Sequence, residues 1–565
     1  MHNVFKSNAS NLPNQKLATG LLASSTPTEN ASLSIGEIAP IPNHFPADIR
    51  NTFDRYTQVI PPNGKPINIY AQSNISDAQI IHARNTLVFF LTDVPNTTYG
   101  ADKSAVANKM GENEATLLLL NGSDGKNETP DIDGQPLYET ELVVPGSAAY
   151  INNDYANHRD ATFEEILHLV HDTGIGVDGK DTLPGALPDF QANIRAATNN
   201  AIANNFQIWP LNAASDPEAK SWFEELSQEN SLSQEYLAAV VDSYYGLWGA
   251  FQETDGGMWG EYIAKTRADI ETKDPMGADL MKQFFSPFLT YDAQLDASLE
   301  GTFTMTFDAN IPYTHKSQYL LHATLTGNNN ANLTGNDQNN QLTGNSGNNV
   351  INGGLGDDTI DGGLGDDEIK GGGGDDTLTG GLGDDRIYGS AGNDRIDGQG
   401  GDDWLLGEAG DDVLRGGSGN DRLQGGQGDD FLRGGKGDDF LQGGKGEDFL
   451  RGGKGEDFLI GGNGDDFLIG GKGKDVFAYD RVDHRRDTIT DFELGIDKID
   501  LSFIFKGANY TSANAFNDYV KLVQFGADTK VKIDVLGDNG DQFKTVAQLI
   551  NVDKTTLTAD HFVLS

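Results

Sequence analysis

A chain of 565 residues carrying 70 glycines and a formal net charge of −45 is too long for one core and far from globular averages. That acidity argues against nucleic acid or an anionic membrane surface as partner, and for bound cations that neutralise part of the charge. The absence of cysteine excludes disulfides and thiolate–metal chemistry.

Residues 1–59 read as a flexible leader, rich in Ser, Asn and Pro before Asn51. The weak apolar patch from Leu17 to Ala23 contains Gly20 and sits at the lower limit for a signal-peptide core. No run approaches the ~18 apolar residues of a membrane span. An export address is therefore expected elsewhere.

Residues 60–325 read as an N-terminal α/β domain. Pro66 to Gln72 forms a strand pattern, Ser76 to Leu91 an amphipathic helix, Ala115 to Gly122 a buried strand and Tyr138 to Ile151 further strand. The segment Thr162 to Gly174, TFEEILHLVHDTG, follows as a helix that Gly174 is placed to end. At 100° per residue, Glu164, Glu165, His168, His171 and Asp172 fall within one third of its circumference, and the rest is apolar. That stripe is read as a divalent-metal site.

Residues 326–352 are Asn-rich units, LTGNDQNNQ and LTGNSGNNV, which keep turn chemistry without charge. They are expected to continue the coil that follows while binding calcium weakly or not at all; an Asn-rich linker is the plainer alternative. From Gly353 to Ala478 the period is strictly nine, 14 units of the form GGxGxDx(L/I/F)x, with Asp at every sixth position. The first six residues of each unit are expected to turn and the last three to form a strand with the eighth pointing inward. Two units would make one coil of about 18 residues, so that carboxylates repeat at roughly 5 Å, the strand spacing. These units hold 29 acidic and 12 basic residues. A hard divalent cation with oxygen ligands answers that charge, and Ca²⁺ suits it better than Mg²⁺ or Zn²⁺. The expected ligands are Asp358, Asp367, Asp376, Asp385, Asp394, Asp403, Asp412, Asp421, Asp430, Asp439, Asp448, Asp457, Asp466 and Asp475. The outward seventh position is Phe431, Phe440, Phe449, Phe458 and Phe467 in five successive units, with Trp404 earlier. Another part of the chain is expected to cover this column, a ligand-binding aromatic ladder being the alternative.

The nonapeptide array resembles the RTX (repeats-in-toxin) family, which implies a parallel β-roll. Residues 479–565 form a small β-rich cap; Asp475 to Ser502, pairing DTITDF with GIDKIDLS, resembles the segment that closes the β-roll of serralysin-type proteases. The terminal TADHFVLS is similar to the uncleaved signals of proteins exported by type I systems, which implies an extracellular or cell-surface location and the type I secretion apparatus as a partner.

The order of elements leading to the His168 helix resembles the upper lobe of zincin metallopeptidases, with Glu164-Glu165-Ile166-Leu167-His168 standing where the family has His-Glu-x-x-His. The resemblance implies Zn²⁺, Glu165 as general base and His168 as second ligand, with Glu164 replacing the first histidine. It also implies Glu261, on a second helix as in gluzincins, as third ligand, Tyr313 polarising a carbonyl, and a protein or peptide substrate. A rival geometry draws Glu164, His168 and His171 from one helix face. The plainer alternatives are a capping box for Thr162 and Glu165, a solvated or carbonyl-shielding His171, a surface Glu261 and a core Tyr313. The functional expectation is a secreted calcium-binding protein with a zincin-like metallohydrolase domain; the alternative is a non-catalytic surface, matrix or adhesion protein.

Overall fold

A computed structural model describes residues 33–565 except 124–129, 148–159, 177–184, 204–205, 248–260, 298, 300, 306–316, 482–485, 507–509, 511, 513, 535 and 537–541. The N-terminal region builds a six-stranded mixed sheet from β1 (Arg55–Ile60), β2 (Ile67–Ala71), β3 (Thr116–Leu120), β4 (Gln135–Tyr138) and two short strands, Ser34–Ile35 and Ala39–Pro40, that pair with β1. With a helix at Ala47–Thr52, the expected flexible leader is folded from residue 33 onward. β1 and β2 run antiparallel, and β2–β3 and β3–β4 run parallel. β3 reads Thr-Leu-Leu-Leu-Leu and is buried at every position, as a strand covered on both faces must be.

Between β2 and β3 lie α1 (Asp77–Leu91) and α2 (Ser104–Glu112). Ser76 caps α1 in a reciprocal box with Gln79. The expected strand from Tyr138 to Ile151 is not formed as such. Pairing ends at Tyr138, Glu139–Glu141 make a short 3-10 turn whose Glu141 carboxylate accepts the Tyr138 N–H, and 148–151 lie outside the described residues.

α3 (Thr162–Val170) presents Phe163, Ile166, Leu167, Leu169 and Val170 to the core, Phe163 meeting the rings of Phe89, Phe90 and Tyr291 at 5.8 to 6.2 Å between centroids. It does not run on to Gly174. A π-helical turn, His171–Ile175, widens the end, and the positive φ that closes it belongs to Gly176, at 111°. Gly174 serves close packing instead, since a Cβ there would stand 2.7 Å from Val106 and 2.8 Å from Met110. The helices α4 (Pro188–Ala203), α5 (Pro217–Glu229), α6 (Leu232–Tyr244), α7 (Arg267–Lys273) and α8 (Pro275–Phe284) complete this region.

The repeats stack as two long parallel sheets, each coil pairing with the coil 18 residues on, as in Val350 with Glu368 and Thr359 with Thr377. Ile360, Leu378, Ile396 and their equivalents at the eighth position are buried in a continuous column. The strands are longer than the sequence suggested. They run from the seventh position through the third of the next unit, as in Thr359–Leu364, and only the fourth to sixth positions turn. Paired glycines read as turn residues, yet Gly354 pairs in register with Gly372 despite φ values of 116° and 121°.

The Asn-rich units do continue the coil, with Asn332 beside Val350 and Gln341 beside Thr359. Both sheets extend further back, into Leu289–Leu295, Gly301–Thr304 and Leu320–Leu325, so the roll grows out of the region assigned to the N-terminal domain. At the other end Val476–Ala478, Asp487–Ile489 and Lys498–Asp500 prolong the sheets, and a meander of Val520–Phe525, Asp528–Asp534 and Phe543–Leu549 covers the end. Among the described residues no helix is long and apolar enough to cross a membrane.

Three successive units break the glycine rule at their second position, where Ser390, Gln399 and Glu408 hold φ values of 85°, 71° and 78°. A left-handed L-residue costs roughly 1–2 kcal/mol. Glu408→Gly is therefore expected to raise the unfolding free energy of the folded roll by about 1 kcal/mol. Gly428→Ala, at φ 128° with its Cβ 1.9 Å from the Gly410 carbonyl, should lower it by more. Denaturant midpoints of the two variants check this, and equal midpoints would contradict it.

Candidate metal centres

The N-terminal centre lies where α3 faces the first turn of α6. Glu164, His168 and Glu235 each offer a ligand atom within 4.8 Å of the others. His168 Nε2 stands 3.7 Å from Glu235 Oε1 and is buried without a hydrogen-bond partner. Its Nδ1 faces Glu165 Oε2 at 3.5 Å, and Gln135 Nε2, from β4, donates to that same carboxylate oxygen at 2.7 Å. One imidazole and two carboxylates, converging on a buried orphaned nitrogen, fit a divalent ion such as Zn²⁺, Mn²⁺ or Fe²⁺. Glu165, on the Nδ1 side, is placed to orient the ring, the carboxylate–histidine–metal arrangement.

Burial opposes a charge on His168, but its hydrogen bond to Glu165 and the fields of Glu235, Glu165 and Glu164 outweigh that and raise its pKa to about 10. A proton and a metal ion thus compete for the same cage.

The other predicted ligands go elsewhere. His171 is fully buried and its Nε2 meets Gln191 Oε1 at 2.6 Å, so it is neither solvated nor on the metal face. Its ring is drawn instead towards α4, which carries Gln191. Gln191 Nε2 in turn reaches Ser233 Oγ at 3.3 Å, and Gln234 donates to Asp172, so three consecutive residues tie the start of α6 to its neighbours: Ser233 to α4, Gln234 to the π turn and Glu235 to His168 on α3. Glu261 sits in a turn, not on a helix; its carbonyl accepts the Leu211 N–H at 2.7 Å, and it is not a member of the cluster. Tyr313 lies outside the described residues. The capping box is absent too, because Thr162 Oγ1 donates to Asp160 at 2.8 Å and α3 has no side-chain cap. Glu235 is the residue the sequence did not announce, one carboxylate among 85 acidic residues with no local motif around it.

The second centre is the ladder of sixth-position aspartates. Each is nearly fully buried, and its Oδ1 accepts the backbone N–H of the sixth residue one coil earlier, from Asp358 N to Asp376 Oδ1 up to Asp457 N to Asp475 Oδ1, at 2.7 to 3.1 Å. From Asp358 to Asp457 the other oxygen, Oδ2, is buried with no hydrogen-bond partner. Orphaned carboxylate oxygens in a row are what a bound cation would complete. The first-position glycine lets the backbone approach these oxygens closely: a Cβ on Gly353 would clash, at 2.1 Å from Asp358 Oδ2 and 2.6 Å from the Gly371 carbonyl oxygen.

Two ladder members were missed in the sequence. Asp487 Oδ1 accepts from Asp466 N at 3.3 Å and Asp497 Oδ1 from Asp475 N at 3.1 Å, at steps of 21 and 22 instead of 18. The signal was present as Asp-Thr-Ile and Asp-Lys-Ile, the same Asp-x-aliphatic triplet as in the repeats, but insertions between them break the period.

The aromatic column divides between the two sheets. Phe431, Phe449 and Phe467 stack on one at 4.8 and 5.2 Å with rings within 12° of parallel, and Phe440 and Phe458 on the other at 5.5 Å. Phe431, Phe467 and Trp404 remain 37–38% exposed, so among the described residues no other part of the chain covers them. The phenylalanines cover one another, and Trp404 lies between the Arg386 and Arg422 guanidinium groups.

Residues 334–477 match the RTX calcium-binding nonapeptide repeat, in overlapping blocks of four copies (334–369, 370–405, 406–441, 415–450 and 442–477). The chain thus carries the repeats of an RTX-type calcium-binding protein. No curated protein matches the sequence. Among solved structures, the AlgE6R3 subunit of the Azotobacter vinelandii mannuronan C5-epimerase is 29% identical over 25% of this chain and 81% of its own, with a TM-score of 0.21. The AlgE6R2 subunit is 28% identical over 23% and 91%, with a TM-score of 0.18. The extracellular lipase LipA of Serratia marcescens is 21% identical over 42% of this chain and 40% of its own, with a TM-score of 0.14.

Proposed function

We propose that this is an exported protein whose roll folds on binding calcium outside the cell, and whose N-terminal region holds a divalent metal ion between Glu164, His168 and Glu235. The observation that carries the calcium part is the row of buried Asp oxygens without hydrogen-bond partners. Calcium-coupled folding fits export of an unstructured chain through a type I apparatus, because the acidic array repels itself where calcium is scarce. Fusing residues 479–565 to a reporter in cells with such an exporter tests the route. The reporter is expected in the medium, and its retention inside would overturn the export reading.

For the N-terminal centre the geometry favours metal binding over the zincin mechanism. In a zincin the glutamate beside the ligand acts on metal-bound water. Here the Glu165 carboxylate is engaged by Gln135 and faces His168 Nδ1, the ring nitrogen away from Glu235. A metal-dependent peptidase is the second reading, favoured by the Glu165–His168 spacing on one helix. Glu165→Gln separates the two. As an orienting partner its replacement weakens metal affinity by about 10–100-fold. As a general base its replacement leaves metal bound and abolishes hydrolysis.

A further inference from the structure

In a chain this acidic, one groove on the roll is basic. Arg415, Arg433 and Arg451 occupy the ninth position of alternate units, and Lys436, Lys454 and Lys472 the third position of the units that follow; together they line a groove of about 600 Å³ on one sheet. The floor between the two rows is second-position glycine, Gly417, Gly435, Gly453 and Gly471. The rows lie three residues apart along each strand, about 10 Å. None of the six cations has an ion-pair partner among the described residues, and Arg415 Nε is buried without a hydrogen-bond partner. Asp397 and Asp491 close the two ends of the groove.

Charge neutralisation of the rod does not explain the arrangement. The opposite sheet has the same eighth-position core but carries Leu406, Gln424, Gln442 and Ile460 at its ninth positions. The alternation of FLRGGK with FLQGGK writes a cation ladder on one face only.

We propose that this groove binds a linear uronic-acid polysaccharide lying along the roll axis, one sugar per coil. Guanidinium forks in a row match carboxylates in a row, bidentately. The step of the ladder is fixed by the strands, and the adjoining phenylalanine rings measure it at 4.8 and 5.2 Å. A 1→4-linked pyranose with its linkage oxygen advances about one such step, and because successive sugars of an extended chain turn over, its carboxylates face the Arg row and the Lys row in turn. An extended polypeptide brings carboxylates to one side only every ~6.7 Å, twice the strand rise. A nucleic-acid strand spaces its phosphates at ~3.4 Å in duplex geometry and, when single, depends on aromatic platforms for its bases. Here the ring faces are taken up by one another, so no platform is offered. Calcium in the Asp ladder also lowers the net charge that would hold a polyanion off. The inference needs the calcium-loaded roll but not the N-terminal metal centre or export.

The test is calorimetric titration of the calcium-saturated full chain with hexagalacturonate, maltohexaose, hexaglutamate and a thymidine hexanucleotide. Hexagalacturonate is expected to bind, with the other three weaker by about tenfold or more, the scale of one lost charge-assisted contact. Arg415→Gln, Arg433→Gln and Arg451→Gln combined should weaken hexagalacturonate by at least that factor. Gln already stands at the equivalent positions of the other sheet, so the roll tolerates it. Lys445→Gln, on that other sheet, should change nothing. No binding of hexagalacturonate, equal binding of hexaglutamate or the oligonucleotide, or an unaffected triple variant would each overturn the proposal.

Discussion

In chelator, acidification from pH 8 towards 4 is expected to increase the β-structure of the chain, and in saturating calcium the same acidification is expected to release the metal. Burial is the main cause. It raises the carboxyls of Asp358, Asp367, Asp376, Asp385, Asp403, Asp412, Asp448 and Asp475 to about 7, backbone N–H donors pull them down and in most of them carboxylates of neighbouring coils push them up again. Asp421, Asp430 and Asp457 reach about 6 and Asp439 about 8. A carboxyl whose folded pKa lies above its unfolded value of 3.8 stabilises the fold fully below 3.8. That contribution is lost as the pH rises through 6 to 8. The calcium-free roll is thus weakest at neutral pH, where its aspartates are ionised and calcium must take the place of the protons. Circular dichroism against pH, with and without calcium, together with free calcium followed at a calcium-selective electrode, reads both effects. A calcium-free chain that loses structure on acidification would contradict the burial argument.

The second large effect concerns the N-terminal centre. His168→Ala and Glu235→Ala are each expected to remove the bound divalent ion, whereas Glu261→Ala should leave it in place. His171→Ala should cost stability without touching the metal: it removes a buried ring whose Nε2 meets Gln191, at about 1–3 kcal/mol for the polar group left unsatisfied. Metal analysis of the purified variants, with their denaturant midpoints, decides this. Retention of metal by Glu235→Ala with loss in Glu261→Ala would restore the two-helix gluzincin geometry.

How much of this was legible follows from where periodicity holds. The nine-residue period set the coil, the inward aliphatic and the buried Asp at once, because each position has one environment all along the rod. It failed at Asp487 and Asp497, where insertions break the step although the local triplet survives. It also misjudged strand length, since glycine's freedom was read as turning when here it permits close coil-to-coil pairing. On α3 the 100° rule located Glu164 and His168 correctly on one face. The same rule placed His171 beside them, but its buried ring is engaged by Gln191 of α4, a partner that no spacing in the helix announces. The partner carboxylate comes from α6, and only tertiary packing brings Glu235 to that face; no spacing in the chain encodes it.

On this proposal the fold of the roll depends on calcium held by the Asp ladder. Far-ultraviolet circular dichroism of the full chain at pH 7.5, titrated separately with Ca²⁺ and Mg²⁺ after exhaustive chelation, tests it most directly. Little β-signal is expected in chelator, with a cooperative gain at millimolar Ca²⁺ and none with Mg²⁺ at the same concentration. A spectrum already complete in chelator, or one restored equally by Mg²⁺, would contradict it.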